Sequence, residues 1–422
     1  MSKPYVTILG KAVRAAARLR GSGSALPGLV VERIDPNFIK DTLASLPRGV
    51  VVISGTNGKT TTTKMVVELL ESQGLKVFTN RSGSNFTRGV AAALLGEIDM
   101  KGNLDADIAV LELDEAHAVH FVRTIPPRYS LILNVMRDQL DRFGEIDATA
   151  DMLRAITVST TEAVVLNRED ERIASLKNSL IDQKVHYFGL SSDLLATFPS
   201  DDNMRSGAKR SSMTPANVIL TKFTGNSATF WMNDKEVTTP LKLTGIYNVF
   251  NAAAALALVL AIVGNKVNHK ALIAALAEVT PAFGRGETLM IGGKPLELVL
   301  VKNPSGFRLG LKSFSPVGYA TMIAINDNYA DGRDMSWLWD VEFDSLRPGG
   351  VAKVAGIRAY DMALRLQYDE VPIAHVEKDL VKALRRFIDE NKDQPKRIYC
   401  TYTAMLALRR ELGKMTKVEP IG

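Results

Sequence analysis

The stretch VVVISGTNGKTTTTKMVVELL, Val50 to Leu70, decides how this chain is read. Val50 to Ile53 form a β-branched apolar run with the composition of a strand buried on both faces. The run ends in Ser54-Gly55, crosses Asn57-Gly58-Lys59 and meets four threonines, Thr60 to Thr63, before a helical pattern begins. Strand, glycine-rich turn, Lys-Thr and helix are the parts of a phosphate cradle, in which backbone N–H groups of the turn and the helix start face an anion. Lys59 supplies a point charge for the β- and γ-phosphates, and the Thr60 hydroxyl a ligand for Mg²⁺. The usual eight-residue loop has glycine where Ile53 stands. This is therefore a shorter variant, Gly55-Thr56-Asn57-Gly58-Lys59-Thr60 with Thr61 behind it, and it reads as a nucleotide site.

A chain of 422 residues exceeds one ordinary domain, so two or three are expected. Net charge is +6, from 52 basic and 46 acidic residues, and the two signs are interspersed. Such a mild excess suits acidic substrates or an anionic surface and is weak evidence for nucleic acid, and no nucleic-acid partner is expected. The single cysteine, Cys400, excludes an internal disulfide and a multi-cysteine zinc site and fits a cytoplasmic location. The most apolar run, Ala252 to Gly264, is too short for a membrane span and reads as a buried helix. Near the start, KAVRAAARLRGSG is a short basic amphipathic helix, able either to pack on the body or to lie on anionic lipid.

Apolar runs alternate with helical segments from GVVVIS through KVFTN, IAVLELD, YSLILNV, AVVLN and KVHYFG. That rhythm predicts an α/β fold with a doubly wound, mainly parallel sheet. It lapses from Leu190 to Pro240, where a polar, cysteine-free stretch and two short alternating runs predict an insertion with a small antiparallel hairpin. Glycine and proline around Arg285 to Lys294 predict a linker. Beyond it ELVLVKN, ATMIAIND, VAKVAG and RIYCTY begin a second alternating series. The expected division is an N-terminal helix and arm over 1–45, a central nucleotide-binding domain over 46–290 and a C-terminal α/β domain over 291–422.

The motif GTNGKTTTT resembles the ATP-binding signature of the Mur ligase superfamily, enzymes that join an amine to a carboxylate through an acyl phosphate. Further matches follow in order: LELDEAH with Glu112, Asp114 and Glu115; NVMRDQLDRFG with Asn134, Asp138, Asp141 and Gly144; LNRED; GIYNVFNAAAALA with Asn248 and Asn251; FGRGE with Arg285. The resemblance implies a central P-loop ATPase domain and a C-terminal Rossmann-like domain. It implies Mg²⁺ on Thr60, Glu112 and Glu115, and the nucleotide on Gly55 to Thr61, Asn248, Asn251 and Arg285. Two departures narrow the match. Gln139 replaces the usual histidine, and GEIDATADMLRAI lacks the lysine that becomes carbamylated in ordinary members.

Both departures suit the MurT-type branch. So do RSGSNFTRGV, KNPSGF, AINDNYADGRDMSWLWDVEF, RAYDMALRL and YTAMLALRREL, and the resemblance spans about residues 20 to 415. It implies the synthetase subunit of lipid II isoglutaminyl synthase, which uses ATP to amidate the D-glutamate α-carboxylate of the lipid II stem peptide. The ammonia comes from a GatD-type glutamine amidotransferase, whose Cys-His pair is completed in trans by an aspartate, here Asp334 and, second, Asp331. Asp327, Asn328 and Asn85 fit substrate contact. Many relatives carry a four-cysteine zinc ribbon in the central domain; with one cysteine, no zinc is expected here. A lipid substrate would give the basic N-terminal helix a role at the inner membrane face. Two other readings stand beside this one: a stand-alone amino-acid ligase of the Mur or folylpolyglutamate type, and a non-catalytic ATP-binding scaffold. Cys400 has no nearby histidine in sequence and is no credible nucleophile. His117 and His120 follow the Glu112 cluster and read as structural.

Overall fold

The computed structural model describes residues 4–19, 25–80, 86–136, 146–195, 214–225, 227–243, 245–280, 285–314 and 316–418. Among them run two sheets. The first has nine strands in the order β2-β3-β1-β4-β5-β6-β7-β8-β9: β1 (Val50–Ser54), β2 (Val77–Thr79), β3 (Ile108–Glu112), β4 (Tyr129–Ile132), β5 (Ala163–Asn167), β6 (Lys184–Leu190), β7 (Val218–Thr224), β8 (Ser227–Met232) and β9 (Lys235–Pro240). Strand pairing is parallel from β2 to β7, then antiparallel through β8 and β9.

β1 lies between β3 and β4 and is buried along its whole length. Its side chains alternate between two cores, as the strand's period of two requires. Val51 and Ile53 enter the layer formed by helices Lys59–Glu71 and Ile246–Val263, while Val50 and Val52 enter the layer of helices Thr87–Glu97, Glu115–Thr124 and Ile146–Val158. The alanine-rich centre of Ile246–Val263, residues 252–259, is buried throughout; this helix is apolar enough to cross a membrane, yet it serves as a core helix. Between β3 and β4 the chain passes from one side of β1 to the other, and such a switch leaves a crevice at the strands' C-terminal ends.

The second sheet has the order β10-β11-β15-β12-β13-β14: β10 (Arg285–Ile291), β11 (Lys294–Leu300), β12 (Ala320–Ala324), β13 (Val351–Ala355), β14 (Ile373–Glu377) and β15 (Lys396–Cys400). It is parallel except for the β10–β11 hairpin. The expected linker at Arg285 to Lys294 is therefore strand and turn. Its glycines, Gly292 and Gly293, have φ of 58° and 77° because they make the hairpin turn, so the second sheet starts before residue 291. The small hairpin expected before Pro240 is a three-stranded antiparallel extension of the main sheet, and residues 196–213 of the same stretch lie outside the described residues.

The N-terminal helices close over the central domain. Helix Ala25–Ile34 crosses Thr87–Glu97 at Gly28, where a Cβ would stand 2.0 Å from the Arg88 carbonyl oxygen. The substitution Gly28→Ala is expected to force the helices apart and to cost about 1–3 kcal/mol, read as a lowered urea midpoint with an unchanged slope.

Candidate functional site

The loop after β1 is held by the segment after β4. Gly55 has φ 133°, and a Cβ there would lie 2.9 Å from the Asn134 carbonyl oxygen. That oxygen accepts from the Thr56 N–H at 3.1 Å. The Asn134 side chain then binds Asn57 twice, accepting from its N–H at 2.9 Å and donating to its carbonyl at 3.0 Å. Met136 N–H donates to Thr56 Oγ1 at 3.0 Å. Gly58, φ 89°, caps helix Lys59–Glu71 and faces Asn251, whose Nδ2 would be 2.5 Å from a Cβ. A loop held by so many backbone and side-chain contacts has one shape, and it turns the helix start to the cleft.

Lys59 is buried at 4% exposure; its Nζ donates to Gly55 O at 2.5 Å and stands 3.3 Å from Glu115 Oε2. A buried ammonium needs a counter-charge. Glu115, expected as a metal ligand, supplies it. Thr60 Oγ1 donates to Glu112 Oε1 at 2.8 Å, which brings a hydroxyl and a carboxylate together at the cradle's edge. These are hard oxygen donors of the kind Mg²⁺ takes. Asn80, at the end of β2, was not singled out from sequence. It is 5% exposed and holds Glu112 by both backbone groups, at 2.8 and 3.0 Å. An asparagine closing a predicted strand was the only signal for it.

The cleft is lined on one side by Asn57, Gly58, Tyr247, Asn248 and Asn251 and on the other by Lys302, Gly306 and Phe314, so the second sheet's elements form its far wall. Asn303, inside the quoted KNPSGF but not picked out, is fully buried. Its Oδ1 caps helix Pro304–Ser313 by accepting from Gly306 N–H at 2.6 Å, and its Nδ2 reaches Asn57 Oδ1 at 3.5 Å. Arg285 opens β10, paired with Val299; its side chain lies outside the described residues, as do Asn85, Asp138, Gln139, Asp141 and Gly144.

A second polar cluster gathers at the C-terminal ends of β12 and β15. Asp327 Oδ2 lies 3.1 Å from Arg358 Nε, and Asn328 Nδ2 donates to Thr403 Oγ1 at 2.8 Å. Asp331 is 2% exposed and accepts from Thr403 N–H at 2.7 Å, from the Thr403 hydroxyl at 2.5 Å and from Asn328 N–H at 3.1 Å. Burial raises its carboxyl pKa, against the lowering effect of those bonds. Asp331 thus anchors its own loop to helix Tyr402–Leu412. Asp334 is half-buried, accepts only locally from Ser336 N–H at 2.9 Å, and is the acid of the two that reaches the surface. Of the two tryptophans in SWLWD, Trp337 is buried beside Phe307 and Trp339 is half exposed. His117 meets the Phe86 ring at 4.3 Å, and His120 is exposed.

The family model "MurT ligase C-terminal" matches residues 300–405, and "Mur ligase middle domain" matches 53–259. The lipid II isoglutaminyl synthase (glutamine-hydrolyzing) subunit MurT of Streptococcus pneumoniae is 31% identical over 93% of each chain. The subunit of the same name from Staphylococcus aureus is 28% identical over 90% of this chain and 91% of its own. The fold is that of MurF ligase from Thermotoga maritima, solved with ADP, at a TM-score of 0.67 and 17% identity, covering 90% of this chain and 83% of that one.

Asn134→Ala removes both side-chain clamps on Asn57 and is expected to weaken ATP binding about tenfold, or ~1.4 kcal/mol, measured by titration calorimetry. Cys400 is fully buried, and burial pushes its thiol pKa up. The native protein is expected to resist a thiol reagent at pH 8 and to react stoichiometrically once unfolded, followed by absorbance of the released chromophore.

Proposed function

We propose, from the premise that this chain belongs to the MurT family of Mur ligases, that it amidates a carboxylate of lipid II at the expense of ATP. The observation that carries the reading is a family match running nearly the length of the chain, onto a cradle that opens toward the second domain. The group acted on is the D-glutamate α-carboxylate of the stem peptide, and the product is D-isoglutamine.

A carboxylate resists ammonia because its leaving group would be oxide. Transfer of the γ-phosphoryl group of ATP to a carboxylate oxygen gives an acyl phosphate. Ammonia then adds to the carbonyl carbon, inorganic phosphate leaves with the former carboxylate oxygen, and a carboxamide remains. Lys59 and the N–H groups at the start of its helix meet the negative charge on the transferring phosphates. Glu115 holds Lys59 at the loop until phosphate competes for the ammonium. Thr60 and Glu112 would hold Mg²⁺, which supplies further positive charge at those oxygens. Asn248 and Asn251 line the nucleotide's cleft, and Asp327 and Asn328 are the substrate-contact candidates. Dependence on ATP assigns the reaction to the cytoplasm.

The ammonia source is a GatD-type glutaminase subunit, docked on the second domain with Asp334 orienting its catalytic imidazole. Support comes from the surface around Trp339, in the segment that follows Asp334. Helix Ala359–Tyr368 turns Tyr360, Leu364 and Tyr368 outward on one face, 63%, 48% and 69% exposed. The Trp339 ring meets Tyr368 edge-on at 5.0 Å. Exposed aromatic clusters of this kind mark protein contacts.

Lipid II incubated with the chain, ATP and Mg²⁺ is expected to lose about 1 Da by mass spectrometry, the difference between OH and NH₂. Ammonium salt should support this alone, and glutamine only with the partner subunit. Asp334→Asn should abolish the glutamine route and leave the ammonium route intact. Unchanged lipid II under every condition would sink the proposal, and addition of an amino acid instead would move the chain to the stand-alone ligases.

A further inference from the structure

Helix Pro4–Leu19 has its polarity inverted for a surface helix. Its inner side, with Val6, Thr7, Gly10 and Ala17, is buried against helices Ala25–Ile34 and Thr87–Glu97. The approach is close: a Cβ at Gly10 would stand 2.6 Å from Leu95 and Val31 side-chain carbons. The cations lie along the flank of that inner side. Lys11 Nζ donates to the Ile98 carbonyl at 2.7 Å, and the Arg14 guanidinium lies over Gly96. Both sit where helix Thr87–Glu97 ends, a position that favours positive charge.

The outer side carries Tyr5, Ile8, Leu9, Ala12, Ala15 and Ala16 at helical spacing, and no charge. Tyr5 is 58% exposed, Ile8 52% and Leu9 45%. A helix that meets only water turns its polar face outward.

We infer that this face lies in the headgroup region of a membrane containing anionic lipid, with Tyr5, Ile8 and Leu9 below the phosphates and Lys11 and Arg14 beside them. Charge chooses the occupant. The helix holds Lys11, Arg14 and Arg18 and no acidic residue, which complements an anionic surface and opposes pairing with a second copy of itself. Alanine, half of the outer face, is depleted from protein–protein interfaces. The choice of a bilayer also rests on the proposed lipid-linked substrate.

The test is co-sedimentation of the full chain with vesicles of phosphatidylcholine plus phosphatidylglycerol, and with phosphatidylcholine alone, neither containing lipid II. Binding to the anionic vesicles should exceed binding to the neutral ones about tenfold and fall with added salt. The double variant Ile8→Glu, Leu9→Glu should lose that binding at least tenfold, with ATP affinity and thermal midpoint unchanged. Ala12→Glu, at an exposed position, should give a smaller loss and serves if the double variant does not fold. Wild-type protein that ignores both vesicles, or variants that bind like wild type, would overturn the inference. So would variants that keep vesicle binding but break a homodimer or a complex with the glutaminase subunit. Because the vesicles carry no lipid II, lost amidation with retained sedimentation removes the catalytic reading alone, and the reverse removes the surface alone.

Discussion

The contact of Gly55 with the Asn134 backbone is the constraint on which the site depends. With φ at 133° and 2.9 Å to the nearest carbonyl oxygen, no side chain is accommodated at position 55. The chain can then turn directly off β1 and lie against the segment leaving β4, two neighbouring parallel strands. Everything else at the cradle follows from that approach. Asn134 straps Asn57, Gly58 passes under Asn251, and the helix begins with Lys59 beneath the loop. Because the crevice lies where the sheet order switches sides, the site is open without cutting into either core.

Two carboxylates of the crevice are met from one helix start: Lys59 pairs with Glu115 as an ion pair, and the neighbouring Thr60 hydroxyl donates to Glu112 at the end of β3. The pairs differ in burial: Lys59 and Glu115 are almost inaccessible, whereas Glu112 is half-buried. An ion pair so enclosed costs about several kcal/mol to break on one side, so it stays closed until another anion takes its place. Asn303 carries the geometry across to the second domain, since one side chain caps that domain's helix and reaches the loop. The buried Asp331 has an equivalent task there, joining its loop to the helix after β15.

Much of the architecture was legible in the sequence, and the failures have a common cause. Strands buried on both faces, such as β1 with Val50 to Ile53 or β15 with RIYC, announce themselves by β-branched and aromatic runs. The edge strands β9 and β14 do not: KEVTTP is mostly polar, and IAHVE has only a partly buried pattern. β10, RGETLMI, was hidden among glycines and prolines that read as a linker, because Gly292-Gly293 is a turn inside the domain rather than a break between two. Helix Pro4–Leu19 was legible as basic and amphipathic, but not the side it would bury.

The cradle motif, from Gly55 to Thr61, stood in the sequence because its residues are contiguous and each conformational demand has a residue type: glycine for positive φ, lysine for charge, threonine for a hydroxyl at a helix start. The order of the other motifs carried the family. What only tertiary structure decided are pairings between residues far apart in the chain. Examples are Glu115 with Lys59, Asn80 with Glu112, and Asn303 with Asn57, 246 positions away. It also sets apart two aspartates three residues from each other: the fold buries Asp331 under Thr403 and leaves Asp334 half-buried. Local sequence specifies a side chain's chemistry, but the partner that uses it is chosen by which strand ends the fold brings side by side.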